Sequence, residues 1–216
     1  MALRPETIDR VLAMWHRPAV SPTISVVTLG SDTFIAAPTF LHERVATLDP
    51  TLDAVLHEFG DDVEKIVGTV RLAYADEQVA DLAPTDGVVQ IEDRDRRQRA
   101  LFAGADPDEW LEASGDEPSD LRYAAGVRKT VLAVAMLRFW DDTVGHIGVF
   151  TDKRARGRGL AGVVASAAVL ETLRRGYIAQ WQSRVDNHAS ARVAHKLGFE
   201  TLGGRDVVRV RQPPGE

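Results

Sequence analysis

The chain has 216 residues, a net charge of −6 and no cysteine, and 44% of its residues are hydrophobic. This composition predicts one or two folded domains and excludes disulfides, thiolate metal sites and a cysteine nucleophile. The acidic total disfavours nucleic acid as the main partner, and the sequence shows no apolar signal segment and no run of membrane-spanning length, so we expect a cytoplasmic protein without a membrane partner.

The pattern of residues 1–82 predicts an N-terminal region of helices and strands, and the sequence does not identify the fold of this region. Pro5 suits the first turn of a helix, and a glycine turn between two strand-like runs predicts a hairpin. A glycine also ends the second helical run. The predicted elements are a helix over 5–16, strands over 24–29 and 33–36, a helix that begins after 49–50 and ends at Gly60, and a strand over 63–74.

A turn-rich break over 81–87 separates this region from the remainder of the chain. A short strand is predicted over 88–91. The charged run that follows, over 92–97, mixes both signs, which favours a solvated helix surface over a binding patch. We therefore expect the C-terminal core to cover residues 100–211.

The core is predicted to alternate strands and helices around a glycine-rich loop. Three strands joined by short connections precede the loop, which favours an antiparallel arrangement. The strand, helix and strand around and after the loop form a crossover unit, which makes its two strands parallel. The predicted elements are a helix that begins at Asp106, strands over 122–127, 129–140 and 144–151, a helix over 160–175, a strand over 177–184, a helix from 186–187 to Gly198, a strand over 206–211 and a tail over 212–216.

The junction between the strand that ends at Thr151 and the helix that begins at Leu160 predicts a phosphate site. Gly157 and Gly159 permit a tight turn and close approach of a ligand, and a helix N-terminus offers unpaired N–H groups and a positive dipole end. The loop lacks the Lys-Ser/Thr ending of a triphosphatase loop and the glycine spacing of a dinucleotide motif, which leaves a diphosphate held by backbone amides. Three arginines add positive charge: Arg154, Arg156 and Arg158.

Two segments resemble motifs of the GNAT superfamily of acyl-CoA-dependent N-acetyltransferases. The first is Arg156-Gly157-Arg158-Gly159-Leu160-Ala161, which resembles the family's Arg/Gln-x-x-Gly-x-Gly/Ala loop. A register that begins at Arg154 also fits, and we favour the first because Ala161 then lies at the helix start. The second is Asn187-His188-Ala189-Ser190, followed by Lys196-Leu197-Gly198-Phe199, which resembles the family's Asn-x-x-Ala/Ser…Lys-Leu-Gly-Phe segment. The resemblance covers roughly residues 100–211.

The resemblance implies an α/β fold of GNAT type, an α+β mixed sheet with a splayed centre, and acetyl-CoA as co-substrate without a metal. It implies that the amides of 157–161 hold the coenzyme A diphosphate, and that an unpaired strand edge pairs with the pantetheine arm. Asn187 matches a position near that arm, although a helix N-cap explains it as well. The implied cofactor residues are Val149, Phe150, Thr151, Arg156, Gly157, Arg158, Gly159, Leu160, Ala161, Asn187 and Ser190.

The acetyl acceptor implied by the resemblance is an amine of a small molecule or of a protein. Ala194 occupies the position at which many family members carry a tyrosine that acts as the general acid, so no proton donor is carried over. His146, Asp141 and Asp142 are candidate bases, and none is assigned because a structural or turn role fits each of them.

Two other functions stay open at the level of sequence. One is a non-catalytic acyl-CoA-binding module that has lost its general acid. The other is a nucleic-acid binder that uses the arginine loop, which the acidic total and the lack of interleaved aromatic residues disfavour. The oligomeric state cannot be read from the sequence.

Overall fold

The computed structural model describes residues 3–18, 22–79, 82–93, 95–115, 117–127 and 130–211, and within them nine strands form one mixed sheet. None of the helices in these ranges is both long enough and apolar enough to cross a membrane. The strands are β1 (Thr23–Leu29), β2 (Asp32–Ala36), β3 (Val63–Ala75), β4 (Val89–Ile91), β5 (Leu121–Val127), β6 (Thr130–Trp140), β7 (Val144–Thr151), β8 (Ile178–Arg184) and β9 (Glu200–Val210). The helices are α1 (Pro5–Trp15), α2 (His42–Val45), α3 (Leu52–Phe59), α4 (Arg99–Ala103), α5 (Pro107–Glu112), α6 (Leu160–Arg174) and α7 (His188–Lys196).

The predicted elements are present, and two predictions need correction. The last strand begins at Glu200 rather than at 206. The charged run over 92–97 is mostly exposed in its described part, as expected, but it does not form the predicted helix surface, because only residues 96 and 97 lie in a 3-10 turn. Asp93 of this run forms an ion pair of 2.7 Å with Arg122, a buried side chain of β5. The predicted tail over 212–216 lies outside the described residues, as do positions 81, 94 and 129 of other predicted segments.

The order of strands across the sheet is β2-β1-β9-β3-β8-β7-β6-β5-β4. β3 lies between β9 and β8 and is antiparallel to both, so strands from residues 1–82 and from residues 100–211 share one sheet. The division of the chain at these boundaries stays a prediction. β5, β6 and β7 are successive antiparallel neighbours, as the sequence predicts.

The two parallel strands at the centre of the sheet part after a short paired stretch. β7 and β8 pair from Val144 with Ile178 to His146 with Gln180, and the ladder ends there. β7 stays paired with β6 as far as Thr151, and β8 stays paired with β3 as far as Arg184. The two strands therefore diverge into a fork, which confirms the splayed sheet.

Helices cover both faces of the sheet around this fork. α6 packs on one face, where Gly145 gives room to Thr172: a Cβ at position 145 would lie 2.6 Å from the Thr172 methyl group. α1 packs on the other face through Val11 and Trp15, which lie in one apolar cluster with Leu72 of β3. The fork is thus flanked by α6 on one side and by α1 on the other.

Candidate active site

The loop between β7 and α6 presents unpaired amides at the start of a 15-residue helix. Gly157 and Gly159 have φ values of +76° and +81°, in the left-handed region that glycine adopts without strain. A Cβ at either position would meet open space, so backbone conformation rather than crowding requires glycine there. No described residue accepts a hydrogen bond from the amides of residues 157–162. The loop therefore offers open N–H groups and room for an anion.

The three arginines of the loop differ in their partners. Arg154 pairs with Asp152 at 2.7 Å, and Arg156 forms a bidentate pair with Glu109 of α5 at 3.0 and 2.8 Å. The hydrogen bond from Arg156 lowers the pKa of Glu109, so both side chains are charged at neutral pH. Arg158 is exposed and has no ion-pair partner among the described residues. The loop is thus less basic than its sequence indicates, which disfavours the nucleic-acid hypothesis further.

The edge of β7 beyond the fork directs alternate peptide groups into the gap. The amide of Asp152 donates to the carbonyl oxygen of Leu132 in β6, at 2.9 Å. Because peptide groups alternate in direction along an antiparallel strand, Phe150 also hydrogen-bonds towards β6, whereas Val149 and Thr151 point towards β8. The carbonyl oxygen of Thr151 accepts from Arg156 Nε at 3.2 Å. Val149 is consequently the residue whose backbone is open to a ligand in the gap.

α5 and the turn that follows it connect the two arms of the fork. A Cβ on Gly148 of β7 would overlap the carbonyl oxygen of Ala113, so the end of α5 lies directly on β7. Glu112 Oε1 accepts from the amide of Arg184 at 3.2 Å and from Asn187 Nδ2 at 2.8 Å, at the end of β8. The carboxylates of α5 thus contact both sides of the gap.

Asn187 and Ser190 lie at the start of α7 with their side chains engaged. Asn187 Oδ1 accepts from the amide of Ser190 at 2.9 Å, which is the geometry of a helix N-cap. Ser190 Oγ accepts from Trp181 Nε1 of β8 at 2.9 Å. The capping role of Asn187 is observed, and contact of either residue with pantetheine stays a prediction.

Comparison with known proteins identifies the part of the chain that contains the fork. Residues 123–204 match a family model described as GNAT acetyltransferase. This segment is a GNAT acetyltransferase domain. It includes the glycine loop, α7 and both arms of the fork. No curated protein matches the sequence.

Solved structures share the fold at low sequence identity. A GNAT-family protein from Novosphingobium aromaticivorans is 23% identical, with 68% of this chain and 65% of that chain covered and a TM-score of 0.56. A GNAT-family acetyltransferase from Colwellia psychrerythraea is 16% identical, with 74% and 62% covered and a TM-score of 0.51. A GCN5-related N-acetyltransferase from Kribbella flavida is 16% identical, with 99% and 97% covered and a TM-score of 0.53. The chain spans less than two thirds of the length of the first two, and all three similarities show the fold alone.

The three candidate bases of the GNAT domain occupy different settings. Asp141 and Asp142 both have φ of +50° in the turn between β6 and β7, which confirms their turn role. His146 is buried at the fork, and its Nε2 lies 3.5 Å from Ser114 Oγ. Burial lowers the pKa of His146 to about 3, and the charges of Arg138 and Arg205 act in the same direction, so the imidazole is neutral at neutral pH. None of the three is assigned as the base.

Several polar residues at the fork were missed by the sequence analysis. Glu109 and Glu112 belong to the helix that was predicted to begin at Asp106, and no site role was predicted for them. Their partners, Arg156 and Asn187, lie 47 and 75 residues away in sequence. Arg205 follows a pair of glycines and was assigned to no element. One local signal was available: Gln180 and Gln182 alternate with apolar residues of β8, which places two amides on one face of an inner strand.

Replacement of Ala194 by tyrosine is expected to leave the GNAT domain folded. Ala194 is only 4% exposed, but it borders a cavity of about 820 Å³ between α7, β3, β8 and β9, which can take a phenol ring. We expect a melting temperature within a few degrees of wild type, and a higher kcat if the missing proton donor limits turnover.

Ala168→Tyr is the matched control for Ala194→Tyr. Ala168 is fully buried between α6 and the sheet and does not border the cavity, so its replacement is expected to cost about 3 kcal/mol or more. The melting temperatures of both variants are measured by thermal denaturation. Equal destabilisation of the two would show that the Ala194 side of the cavity is packed.

Proposed function

We propose that the protein is an acetyl-CoA-dependent N-acetyltransferase that transfers the acetyl group to an amine. The observation that carries the proposal is the fork of β7 and β8 beside a glycine loop with open amides. The amides of residues 157–161 would hold the diphosphate, and the edge of β7 at Val149 and Thr151 would pair with the pantetheine arm.

Two independent observations support a fit between the residues of this site and coenzyme A. The left-handed glycines leave open space above their Cα atoms, where a diphosphate can approach the backbone. The N–H and C=O groups of Val149 point into a gap in which no strand of the described residues pairs with them, because the ladder to β8 ends at His146. A strand edge of this kind can bind an extended amide-containing chain by added-strand pairing.

Acetyl-CoA would supply the acetyl group in activated form, as a thioester. The chain's own part is to hold an uncharged amine against that carbonyl, to exclude water, and to polarise the carbonyl oxygen with a backbone N–H at the fork. In this transfer the nitrogen–carbon bond forms as the carbon–sulfur bond breaks. The nitrogen loses one proton, and the leaving thiolate takes up one proton, so the products are an amide and a thiol. His146 is a buried titratable group in the last pair of the β7–β8 ladder, at the point where the strands part.

The alternative function is an acyl-CoA-binding module without catalysis, which the absence of a tyrosine at Ala194 favours. Thiol release from acetyl-CoA with a panel of amines, and calorimetric titration with coenzyme A, separate the two. Acetylation of any amine at catalytic rates supports the enzyme. Binding of coenzyme A without acetylation of any amine supports the module, and no binding of coenzyme A contradicts both.

A further inference from the structure

We infer that the acyl acceptor is an amine that also carries a carboxylate, and that Arg205 binds this carboxylate on the α1 side of the fork. The inference rests on the proposed acetyltransferase function and adds the chemical class of its acceptor. It is drawn from a group of polar side chains on this face of the sheet, in which Arg205 has no ion-pair partner among the described residues.

Arg205 of β9 is connected to the fork by two glutamines. Its Nη2 donates to Gln182 Oε1 at 2.9 Å, and Gln182 Nε2 donates to Gln180 Oε1 at 2.9 Å. Gln180 is the register partner of His146 in the last pair of the β7–β8 ladder. The guanidinium group therefore lies on the same face as His146, two side chains from the point at which the strands part.

The charge of Arg205 has no counter-ion among the described residues. Its guanidinium contacts Ser25 Oγ at 3.3 Å and lies over the ring of Trp15 at 5.2 Å, and Nε is buried without a hydrogen-bond partner in the described part of the chain. Burial lowers the pKa of Arg205 to about 10, which is the expected effect on a cation removed from water. Arg205 is half-buried, and a charge that is partly removed from water is stabilised by a counter-ion, so the site favours an anion.

A second guanidinium group lies on the same face of the sheet. Arg138 of β6 is the register partner of His146, lies over the ring of Trp140 at 5.0 Å and forms an ion pair with Glu117. Its Nε is also buried without a partner among the described residues. An arginine that presents Nε and a terminal nitrogen side by side matches the two oxygens of a carboxylate.

Two buried titratable groups on this face, Tyr74 and His146, carry no charge at neutral pH. Burial raises the pKa of Tyr74 to about 12, and its hydroxyl accepts from Trp15 Nε1 at 2.7 Å. His146 is neutral, as described above. In the described part of the chain Arg138 is paired with Glu117, whereas Arg205 has no ion-pair partner. A carboxylate on the acceptor would supply a partner for Arg205, and it would reduce the electrostatic effect of Arg138 and Arg205 on the pKa of His146.

The test compares ω-amino acids of increasing length with their primary amides as acceptors, because a distant carboxylate changes the pKa of the amine little. We expect kcat/KM to be at least about tenfold higher for the acid at the length that fits, as for a charge-assisted pair. Short peptides that place aspartate or asparagine beside a lysine form a second arm, which shows whether the carboxylate belongs to a small molecule or to a peptide.

Three variants of β9 locate the effect. Arg205→Gln is expected to lower the acid-to-amide ratio to about one while acetylation of the amides continues, and Arg205→Lys is expected to keep part of the preference. Arg209→Gln removes an exposed arginine of the same strand and should change nothing. Equal kcat/KM for acid and amide at every length and in the peptides, with wild-type turnover observed, would overturn the inference. Failure to acetylate any amine would instead contradict the proposed function.

Discussion

Gly159→Asp is expected to weaken coenzyme A binding at least about 100-fold and to leave the protein folded. A carboxylate at this position would face the diphosphate across the open space above the loop. Two unit charges about 4 Å apart at an effective dielectric constant of about 20 repel by about 4 kcal/mol, and about 1.4 kcal/mol corresponds to a tenfold loss of affinity. The left-handed backbone, with φ of +81°, adds strain of the order of 1 kcal/mol for a residue other than glycine.

Two matched variants separate charge from strain. Gly159→Asn has the shape and the backbone strain of the aspartate without its charge, so it should bind coenzyme A more tightly than Gly159→Asp does. Gly30→Asp places the same residue at a left-handed glycine in the β1–β2 turn, with φ of +60°, at the other side of the sheet, and should not change binding. Calorimetric titration measures the affinity of the three variants for coenzyme A, and thermal denaturation measures their melting temperatures. Unchanged affinity in Gly159→Asp would place the diphosphate elsewhere.

The glycine loop could be predicted from the sequence because its determinants are local. Two glycines with positive φ follow an apolar strand, and α6 begins directly after Gly159, where the alanine- and valine-rich run begins. A helix N-terminus and a left-handed turn depend on residues within a few positions of one another. The parting of β7 and β8 followed from the resemblance to GNAT proteins, and no local pattern in either strand would have shown it.

The position of β3 could not be predicted, because its neighbours are distant in sequence. β3 pairs with β8 and β9, and more than a hundred residues separate Val70 from its partners Arg184 and Arg205. Alternation along a strand indicates which face is buried and carries no information about which strand lies beside it.

The start of β9 was missed for a related reason. Gly203 and Gly204 interrupt the alternating pattern of a strand, and the last strand was predicted to begin after them, at residue 206. In the structure a Cβ on Gly203 would overlap the carbonyl oxygen of Thr28, and one on Gly204 would lie 2.9 Å from that of Val70. The glycines therefore permit β1 and β3 to approach on either side, and this close approach places Arg205 beside Gln182 and Trp15.

Val149→Pro is expected to lower the affinity for acetyl-CoA about tenfold and to lower the melting temperature by only a few degrees. The N–H of Val149 points into the gap beyond the fork, so proline removes a donor that no neighbouring strand uses. One hydrogen bond to a ligand contributes about 1 kcal/mol or slightly more, which corresponds to roughly a tenfold change in affinity.

Three comparisons assign the effect to that N–H group. Val149→Ala shortens the side chain and keeps the donor, so it should bind acetyl-CoA nearly as the wild type does. ADP carries a diphosphate without a pantetheine arm and should bind Val149→Pro and the wild type equally. Phe150→Pro removes a donor that faces β6, together with a buried ring, and should unfold the domain. If Val149→Pro binds acetyl-CoA like the wild type while Phe150→Pro unfolds, the pairing of β7 is as described but the pantetheine arm does not lie along β7. ADP tests the diphosphate loop and acetyl-CoA tests the edge of β7, so either site can be contradicted without the other.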